Sequence, residues 1–310
     1  MGERNALIEW LLGGDPAIRW QTLRDLVGAG KQVVMRERQR VAKTGWGARL
    51  LKHQERSGQW GGGIYTPKWI STTYTMVLLR SLGLSPGHLQ ALKGCALLLD
   101  QGFYRDGGFN CSSSYKHSEP CITGMVLAVV AYFRHADDRI HRFAEYLLNQ
   151  QMNDGGWNCQ SYRGATHSSV HTTILVLEGL LEYERFIPRP ARAIREAQAR
   201  GRNFLLVHRL FRSHRTGEVI NPAWTRFSFP PRWHYDVLRA LDYFQDAGAA
   251  RDERLSEAIE IVRQRRKADG RWILQNRYPG RTFFEMEQVG QPSRWNTLRA
   301  LRVLKWWESR

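Results

Sequence analysis

Helical periodicity organises most of the chain. In the segment 252–266, the apolar residues Leu255, Ile259 and Val262 recur on one face of a helix whose other face is charged. The segment 139–150 has the same amphipathic pattern, and strand-like alternation is scarce throughout the sequence. These patterns predict an all-α chain with minimal β content.

A unit of two helices recurs along the sequence. A polar helix is followed by a turn with Gly and an aromatic residue, then by a loop and a more apolar helix. The turns lie at 58–60, 106–109, 154–157 and 269–272, and a degraded copy lies at 215–219. Because such pairs bury their apolar faces only by stacking on neighbouring pairs, the repeat predicts one continuous helical assembly.

The second helices of five such pairs are expected to begin near Thr72, Cys121, Val170, Trp233 and Arg294. A sixth pair is expected at the N-terminus, where Asp15 precedes Pro16 as a helix cap. No Gly/Ser-rich linker interrupts the sequence. We therefore predict a single domain over residues 1–310, a closed (α/α)6 toroid, with N-terminal helices in 1–45 and repeats in 46–310.

Composition and net charge indicate which binding partners the protein can have. Hydrophobic residues make up 42% and charged residues 24%, which is typical of a globular protein with a core. The formal net charge is +17. This charge indicates either a basic surface that only faces solvent or a partner such as an anionic substrate or an acidic membrane. Because Lys and Arg are spread over most helices, nucleic-acid binding by a basic tail is disfavoured. The oligomeric state is left open.

The lengths of the apolar runs predict the cellular compartment. Its apolar runs are too short for a signal peptide or a membrane span, so we expect a cytoplasmic protein. The four cysteines form no Cys-x-x-Cys pair, and in a large cytosolic chain we expect free thiols.

Two turns carry a longer motif. Residues 54–60 and 151–157 both match Gln-x-x-x-Gly-x-Trp, and residues 266–272 match it with Arg in place of Gln. In this motif the chain resembles triterpene cyclases and, more broadly, the terpene cyclase and protein prenyltransferase superfamily, over roughly residues 46–310. The resemblance implies that the motif is structural, and that the more apolar helices line a central funnel with their N-termini around its mouth.

One stretch resembles the zinc site of protein prenyltransferases. His171-Thr172 opens a helix as in that family, and Glu119-Pro120-Cys121 stands where the family has Asp-x-Cys. The resemblance implies zinc ligands at Glu119, Cys121 and His171, and three protein ligands leave one position open for a substrate. Cys111 and Cys159 lie in the same loops and are candidates to replace or extend this set.

A second interpretation is carbocation chemistry. Triterpene cyclases that open an epoxide use an Asp followed by a Cys, and residues 118–121 are loosely similar, which makes Glu119 a candidate general acid. The Asp-x-Asp-Asp acid motif of squalene-type cyclases is absent from the sequence. Further catalytic candidates at the expected mouth are His234, Tyr235 and Asp236.

Aromatic and basic residues near the same helix starts are candidates to bind substrate, through π faces for a cation and positive charge for a diphosphate. They are Trp69, Tyr74, Lys116, His117, Trp233 and Trp295. The sequence thus favours an enzyme acting on an isoprenoid or another apolar chain with an anionic head. The alternatives are a glycan-active enzyme with Glu119 and Asp236 as its carboxylate pair, and a non-catalytic module that binds acidic lipid or nucleic acid.

Overall fold

The computed structural model describes residues 2–112, 114–189 and 191–309. These residues form α-helices and short helical turns, and the β interactions among them are isolated bridges. The helices are α1 (Gly2–Leu12), α2 (Pro16–Thr22), α3 (Lys31–Gln39), α4 (Gly45–Lys52), α5 (Thr72–Leu82), α6 (Leu89–Gly102), α7 (Pro120–Tyr132), α8 (Arg139–Asn149), α9 (Val170–Phe186), α10 (Arg192–Val207), α11 (Val237–Asp246), α12 (Ser256–Gln264) and α13 (Arg294–Glu308). The predicted all-α class, built from the helix pairs of the α/α-toroid type, is confirmed.

The repeated turns place the second helix of each pair by one recurring hydrogen bond. The backbone N–H of Trp157 donates to the hydroxyl of Thr173, in the first turn of α9, at 3.1 Å. The same bond joins three other turns to the helices that follow them: Trp60 to Thr72, Phe109 to Thr123, and Trp272 to Thr297. All four aromatic rings are fully buried. Each aromatic residue therefore fixes the start of the next helix.

Glycines in these turns have a conformational role. Gly58, Gly107, Gly155 and Gly270 all adopt positive φ, and so does Gly217 in the degraded copy. The degraded copy keeps the turn but not the buried ring, since Val219 takes its place and is exposed. The turn is thus retained in all five repeats, whereas the anchoring aromatic is retained in four.

Most of the predicted helix starts are correct. Helices begin at Thr72, Pro120, Val170 and Arg294, and Asp15 caps α2 by accepting from the N–H of Ala17 at 2.9 Å. The start predicted near Trp233 is wrong, because α11 begins four residues later, at Val237. The preceding segment is irregular and is held by the Pro222–Thr225 turn.

Contacts divide the chain into two compact units. The terminal unit comprises Met1–Lys52, Ser81–Ser85 and His208–Arg310, and the central unit comprises His53–Arg80 and Pro86–Val207. The prediction of one domain over 1–310 stays a prediction, since two such units can belong to a single domain.

In the central unit, α7 and α9 pack closely at two glycines. A Cβ atom on Gly124 would lie 2.7 Å from the carbonyl oxygen of Leu175, and one on Gly179 would lie 2.5 Å from the carbonyl oxygen of Gly124. Only hydrogen at both positions allows this approach. The two helices therefore bring their N-terminal ends, and the loops before them, close together.

In the terminal unit, α11 and α13 are joined by ion pairs. The guanidinium of Arg299 donates to Asp242 at 3.0 Å, and Arg302 pairs with both Asp242 and Asp25. Buried charges require such partners. None of the described helices has the length and apolar character needed to cross a bilayer.

Candidate carboxylate and thiol site

The start of α7 holds a compact cluster of potential ligands. One carboxylate oxygen of Glu119 and the sulfur atoms of Cys121 and Cys159 all lie within 4.8 Å of one another. All three residues are half-buried. Cys159 reaches the cluster from the loop before α9, because α7 and α9 pack side by side.

Glu119 occupies the cap position of α7 without capping it. In the three equivalent positions, Ser169, Asp236 and Ser293 accept backbone N–H groups of α9, α11 and α13. The Glu119 side chain makes no such bond to α7. Its carboxylate is therefore not committed to the helix end and is available for chemistry.

Burial and nearby charges act on this carboxyl in opposite directions. Burial raises the pKa of Glu119 above its usual range, although the positive charges of His117 and Lys68 oppose the rise. Burial, together with the charge of Glu119, also raises the pKa of the Cys111 thiol to about 11. Cys111 thus lies within the field of the cluster as a neutral thiol.

The two cluster cysteines are paired. The expectation of free thiols is wrong for Cys121 and Cys159, whose sulfur atoms are joined as a disulfide with the Cα atoms 6.3 Å apart. The sulfur of Cys159 also accepts the N–H of Cys121 at 3.3 Å and the hydroxyl of Thr172 at 3.5 Å. The packing of α7 against α9 creates this pairing, which sequence spacing alone does not reveal.

The predicted zinc set is brought together in part. Glu119 and Cys121 meet as expected, and Cys159 completes the group. His171 lies half-buried in the first turn of α9, and its ring nitrogens do not belong to the group found among the described residues. A carboxylate with two thiolates suits zinc, so the residues fit this metal when the cysteines are in the dithiol form.

An aromatic group lies beside the cluster. The hydroxyl of Tyr74 donates to the hydroxyl of Tyr65 at 2.9 Å, and the ring of Trp69 meets the Tyr74 ring edge-on at 4.8 Å. Burial raises the pKa of Tyr65 to about 12 despite its bond to Tyr74, with further contributions from the charge of Glu119 and from Cys111, which ionises at about pH 11. The amine of Lys68 lies 5.6 Å from the ring centres of both Tyr65 and Trp69.

A groove of about 480 Å³ borders the cluster at Cys159. It is lined by Cys159 and His117 among others, and the ring of Tyr162 packs against the ring of His117 at 3.6 Å. Lys116, which precedes His117, is exposed. The groove gives small molecules a route to the Cys159 sulfur.

The remaining predicted residues lie in the terminal unit, where they pack against aromatic rings or bond to the backbone. They are Trp233, His234, Tyr235, Asp236 and Trp295. His234 stacks on Trp233 and on Tyr278, with ring centres 3.7 and 3.5 Å apart, and Trp295 stacks on Phe229 at 4.4 Å.

Tyr235 and Asp236 are fully buried. The hydroxyl of Tyr235 donates to the carbonyl of Leu210 at 2.6 Å, and Asp236 accepts the N–H groups of Arg239 and Ser228. No observation on the described residues of the terminal unit favours the carboxylate pair of a glycan-active enzyme.

Tyr65 and Lys68 were not predicted as part of a site, and Thr172 was predicted only as one of the residues at a helix start where chemistry was expected. The sequence offers one signal for Lys68 and Tyr65, which lie just before α5, at a helix start where chemistry was expected. No sequence signal identifies Thr172 as a donor to a sulfur atom. Cys159 was predicted, with Cys111, only as a candidate to replace or extend the ligand set.

The chain is similar to solved structures of a type II terpene cyclase, MstE from Scytonema. The ligand-free enzyme is 14% identical, with 94% of this chain and 88% of that chain covered and a TM-score of 0.47. A complex of a variant with geranylgeranyl dihydroxybenzoate, its substrate, is 14% identical over 93% and 85% of the two chains, with a TM-score of 0.46. A complex with the product merosterolic acid A is 14% identical over 94% and 87%, with a TM-score of 0.46. No family model and no curated protein matches the chain.

Proposed function

We propose that the chain is an enzyme that acts on an isoprenoid or another apolar chain with an anionic head, at the cluster around Glu119. The observation that carries this proposal is the convergence of Glu119, Cys121 and Cys159 within 4.8 Å. The substrate class follows the resemblance of the repeated turns to those of triterpene cyclases.

The surroundings of the cluster suit both parts of such a substrate. Tyr65, Trp69 and Tyr74 offer aromatic faces to an apolar chain and to a cation that develops on it. Lys68 and His117, whose charges act on Glu119, offer positive charge to an anionic head. The head would thus bind on the side of the ligand cluster, and the chain along the aromatic group.

Zinc is proposed as the cofactor, held by Glu119, Cys121 and Cys159 in the dithiol form. Bound there, zinc supplies a Lewis acid with an open position for a thiol, a water or a phosphate oxygen. The protein contributes the unused carboxylate of Glu119, and it holds the two sulfur atoms together through the packing of α7 on α9.

Metal analysis separates this ligand set from the one predicted by resemblance. The tag-free protein is reduced, loaded with zinc, desalted and assayed by elemental analysis beside Cys159→Ala and His171→Ala, with Cys111→Ala as the control. We expect about one zinc per chain, lost in Cys159→Ala and retained in His171→Ala and in the control. An absence of zinc in the reduced wild-type protein would overturn the metal proposal.

Binding of probe lipids tests the substrate class. Geranylgeranyl diphosphate and geranylgeraniol share an apolar chain and differ in the anionic head. We expect Lys68→Ser to weaken binding of the diphosphate about fivefold or more and to leave the alcohol unaffected, in titration calorimetry. Lys52→Ser is the matched control, because Lys52 is exposed like Lys68. An equal effect of both variants on both probes would contradict the assignment of Lys68.

A second candidate function, binding to an acidic lipid surface, is favoured by α3 and the turn before it. Val27, Val33 and Met35 are 49, 50 and 47% exposed, although they are large apolar residues. Lys31 and Arg36 are exposed beside them. Basic residues next to exposed apolar side chains are typical of segments that lie on anionic membranes.

The acidic residues of this segment are neutralised inside the structure. Glu37 is buried and pairs with Arg19 at 2.9 Å, and Asp25 pairs with Arg24 at 2.5 Å. The exposed charge around Val33 and Met35 is therefore positive, which complements the headgroups of acidic lipids.

Vesicle co-sedimentation tests this surface. We expect binding to vesicles of phosphatidylcholine with phosphatidylglycerol, and little binding to phosphatidylcholine alone. Replacing Val33 and Met35 with Ser should weaken the binding, and Val289→Ser is a control because Val289 is also exposed. Equal binding to neutral and acidic vesicles would overturn the proposal.

A further inference from the structure

The Cys121–Cys159 bond joins two structural elements that also pack closely against each other. Cys121 lies in the first turn of α7, and Cys159 lies in the loop before α9. The Cα separation of 6.3 Å falls in the range that a disulfide spans, and it also allows two separate thiols. The backbone can therefore hold both redox forms.

The Cys159 sulfur meets hydrogen-bond donors from two helices. It accepts hydrogen bonds from the N–H of Cys121 and from the hydroxyl of Thr172. These donors lie in the first turns of α7 and α9, which have 13 and 17 residues. These contacts hold the Cys159 sulfur beside Cys121, and of the two cysteines Cys159 is the one that lines the groove.

Thiol–disulfide exchange also requires that a small molecule reach the sulfur of Cys159. Cys159 lines the groove of about 480 Å³, which is large enough for a small thiol or disulfide. Asp106, Arg142, Glu145 and the imidazole of His117 line the same groove, and Arg142 pairs with Glu145 at 3.5 Å. A tripeptide thiol is thus matched in size, and its amine and carboxylates meet groups of both signs.

The other two cysteines are poorly suited to this chemistry. Cys95 is fully buried, and burial raises the pKa of its thiol well above the usual range. Burial also raises the pKa of Cys111 to about 11. Both therefore remain neutral thiols near pH 7, which leaves the Cys121–Cys159 pair as the reactive one.

We propose that Cys121 and Cys159 form a reversible dithiol–disulfide site that exchanges with small-molecule disulfides of the glutathione class through the groove. The Cys159 thiolate attacks one sulfur of the small disulfide, so that a mixed disulfide forms and one small thiolate leaves and takes up a proton. The Cys121 thiol then loses its proton and attacks the Cys159 sulfur, which releases the second small thiol. The protein dithiol loses two electrons, and the small disulfide gains them.

This exchange would switch the metal site on and off. A disulfide offers no thiolate, so oxidation removes two of the three proposed zinc ligands, and bound zinc in turn protects the thiols from oxidation. This consequence rests on the proposed function, whereas the disulfide exchange does not.

Thiol counting tests the exchange. The reduced protein is equilibrated with mixtures of reduced and oxidised glutathione, quenched in acid, denatured, alkylated and weighed by mass spectrometry. We expect four alkylated cysteines in the reducing mixtures and two in the oxidising ones, with peptide mapping assigning the protected pair to Cys121 and Cys159. Four alkylated cysteines in every mixture, or a protected pair that includes Cys111, would overturn the proposal.

Single substitutions identify the attacking sulfur. Cys121→Ser should accumulate one glutathione on Cys159, Cys159→Ser should accumulate far less on Cys121, and Cys111→Ser should behave as wild type. The reverse order of Cys121→Ser and Cys159→Ser would overturn the assignment of Cys159. If the protected pair forms but the reduced protein binds no zinc, the exchange site stands and the metal proposal fails. If zinc binds but no protected pair forms, the metal site stands and the exchange proposal fails.

Discussion

At the scale of single residues, two carboxylates at equivalent helix starts have different surroundings. Asp236 is fully buried, and burial raises its pKa, although the charge of Arg299 and two accepted backbone N–H groups oppose the rise. Glu119 caps nothing, and burial raises its pKa. Burial therefore acts on both carboxyls, but only Asp236 also holds a helix end through hydrogen bonds. The half-buried carboxyl of Glu119 has no such compensation at α7, and function would explain this cost in stability.

Replacing each of these residues with Ala separates the two roles. We expect Asp236→Ala to lower the free energy of unfolding by about 2–4 kcal/mol, because two buried N–H groups lose their acceptor. Glu119→Ala should change it by less than about 0.5 kcal/mol, or raise it, because a half-buried charge is removed. Urea denaturation measures both, and an equal loss in the two variants would show that Glu119 is structural.

At the scale of helices, the contact of α7 with α9 decides whether the site assembles. In Gly124→Ala, the new methyl group would lie 2.7 Å from a backbone oxygen of α9, so the helices must separate. We expect a loss of about 1–3 kcal/mol in the free energy of unfolding, and a smaller fraction of the Cys121–Cys159 disulfide at a given glutathione ratio. Gly30→Ala is the control, because a Cβ there meets open space. A destabilised Gly124→Ala that forms the disulfide as readily as wild type would show that this packing does not position the cysteines.

The link between α11 and α13 predicts a dependence on pH. Asp242 is desolvated, but the charges and hydrogen bonds of Arg302 and Arg299 outweigh this and lower its pKa below the usual value of 3.8. A carboxyl whose pKa is lower in the folded state stabilises the fold above its unfolded pKa, and this stabilisation is lost as the pH falls through the folded pKa. The benefit of Asp242 should therefore be complete at about pH 5 and should fade below about pH 3.8.

The variant Asp242→Asn tests this dependence. It should melt well below wild type at about pH 5, because Arg299 loses its anion and Arg302 keeps only Asp25. We expect a loss of about 3–5 kcal/mol in the free energy of unfolding. The difference from wild type should shrink as the pH is lowered from about 4 to about 3. Asp100→Asn serves as the control, because Asp100 is exposed. A difference in melting temperature that stays constant over this whole range of pH would contradict the assigned pKa.

Helices were predicted well from the sequence where local signals mark them. The Gly-aromatic turns and the Thr residues that follow them set the starts of α5, α7, α9 and α13. The prediction failed at α11, because the turn before it has the exposed Val219 where the other turns have a buried aromatic ring. The segment that follows this turn is organised by Pro222 and by contacts with distant residues such as Gln275. Local pattern does not encode such contacts.

Only the part of the site that lies at the start of α7 was predicted from the sequence. Glu119 and Cys121 follow from their place at the start of α7, but Cys159 joins them through the close approach at Gly124 and Gly179. A glycine on a helix face gives no periodic signal, so periodicity could not predict which loop would meet α7. The resemblance to protein prenyltransferases, which have a His ligand at the start of the next helix, predicted His171 as the third ligand instead.

At the scale of the whole molecule, the net charge of +17 has two distinct consequences. Charge spread over most helices gives a general attraction to any polyanion, which should weaken gradually as charges are removed. The surface around Val33 and Met35 instead combines charge with exposed apolar side chains, so its binding to acidic vesicles should depend on a few residues. The two kinds of binding can be separated by matched charge changes.

The double variant Lys31→Ser/Arg36→Ser removes two charges from this surface, and Arg189→Ser/Arg195→Ser removes two exposed charges elsewhere. At about 1 kcal/mol for each basic residue near an acidic bilayer, the first variant should bind acidic vesicles roughly thirtyfold more weakly, and the second should bind nearly as wild type does. On a heparin column both should elute at similarly lowered salt, because that matrix senses total charge. If both variants lose vesicle binding equally, the attraction to membranes is a property of the whole charge and not of α3. A variant of α3 that fails on heparin while its control does not would instead identify this surface as a site for a polyanion such as nucleic acid.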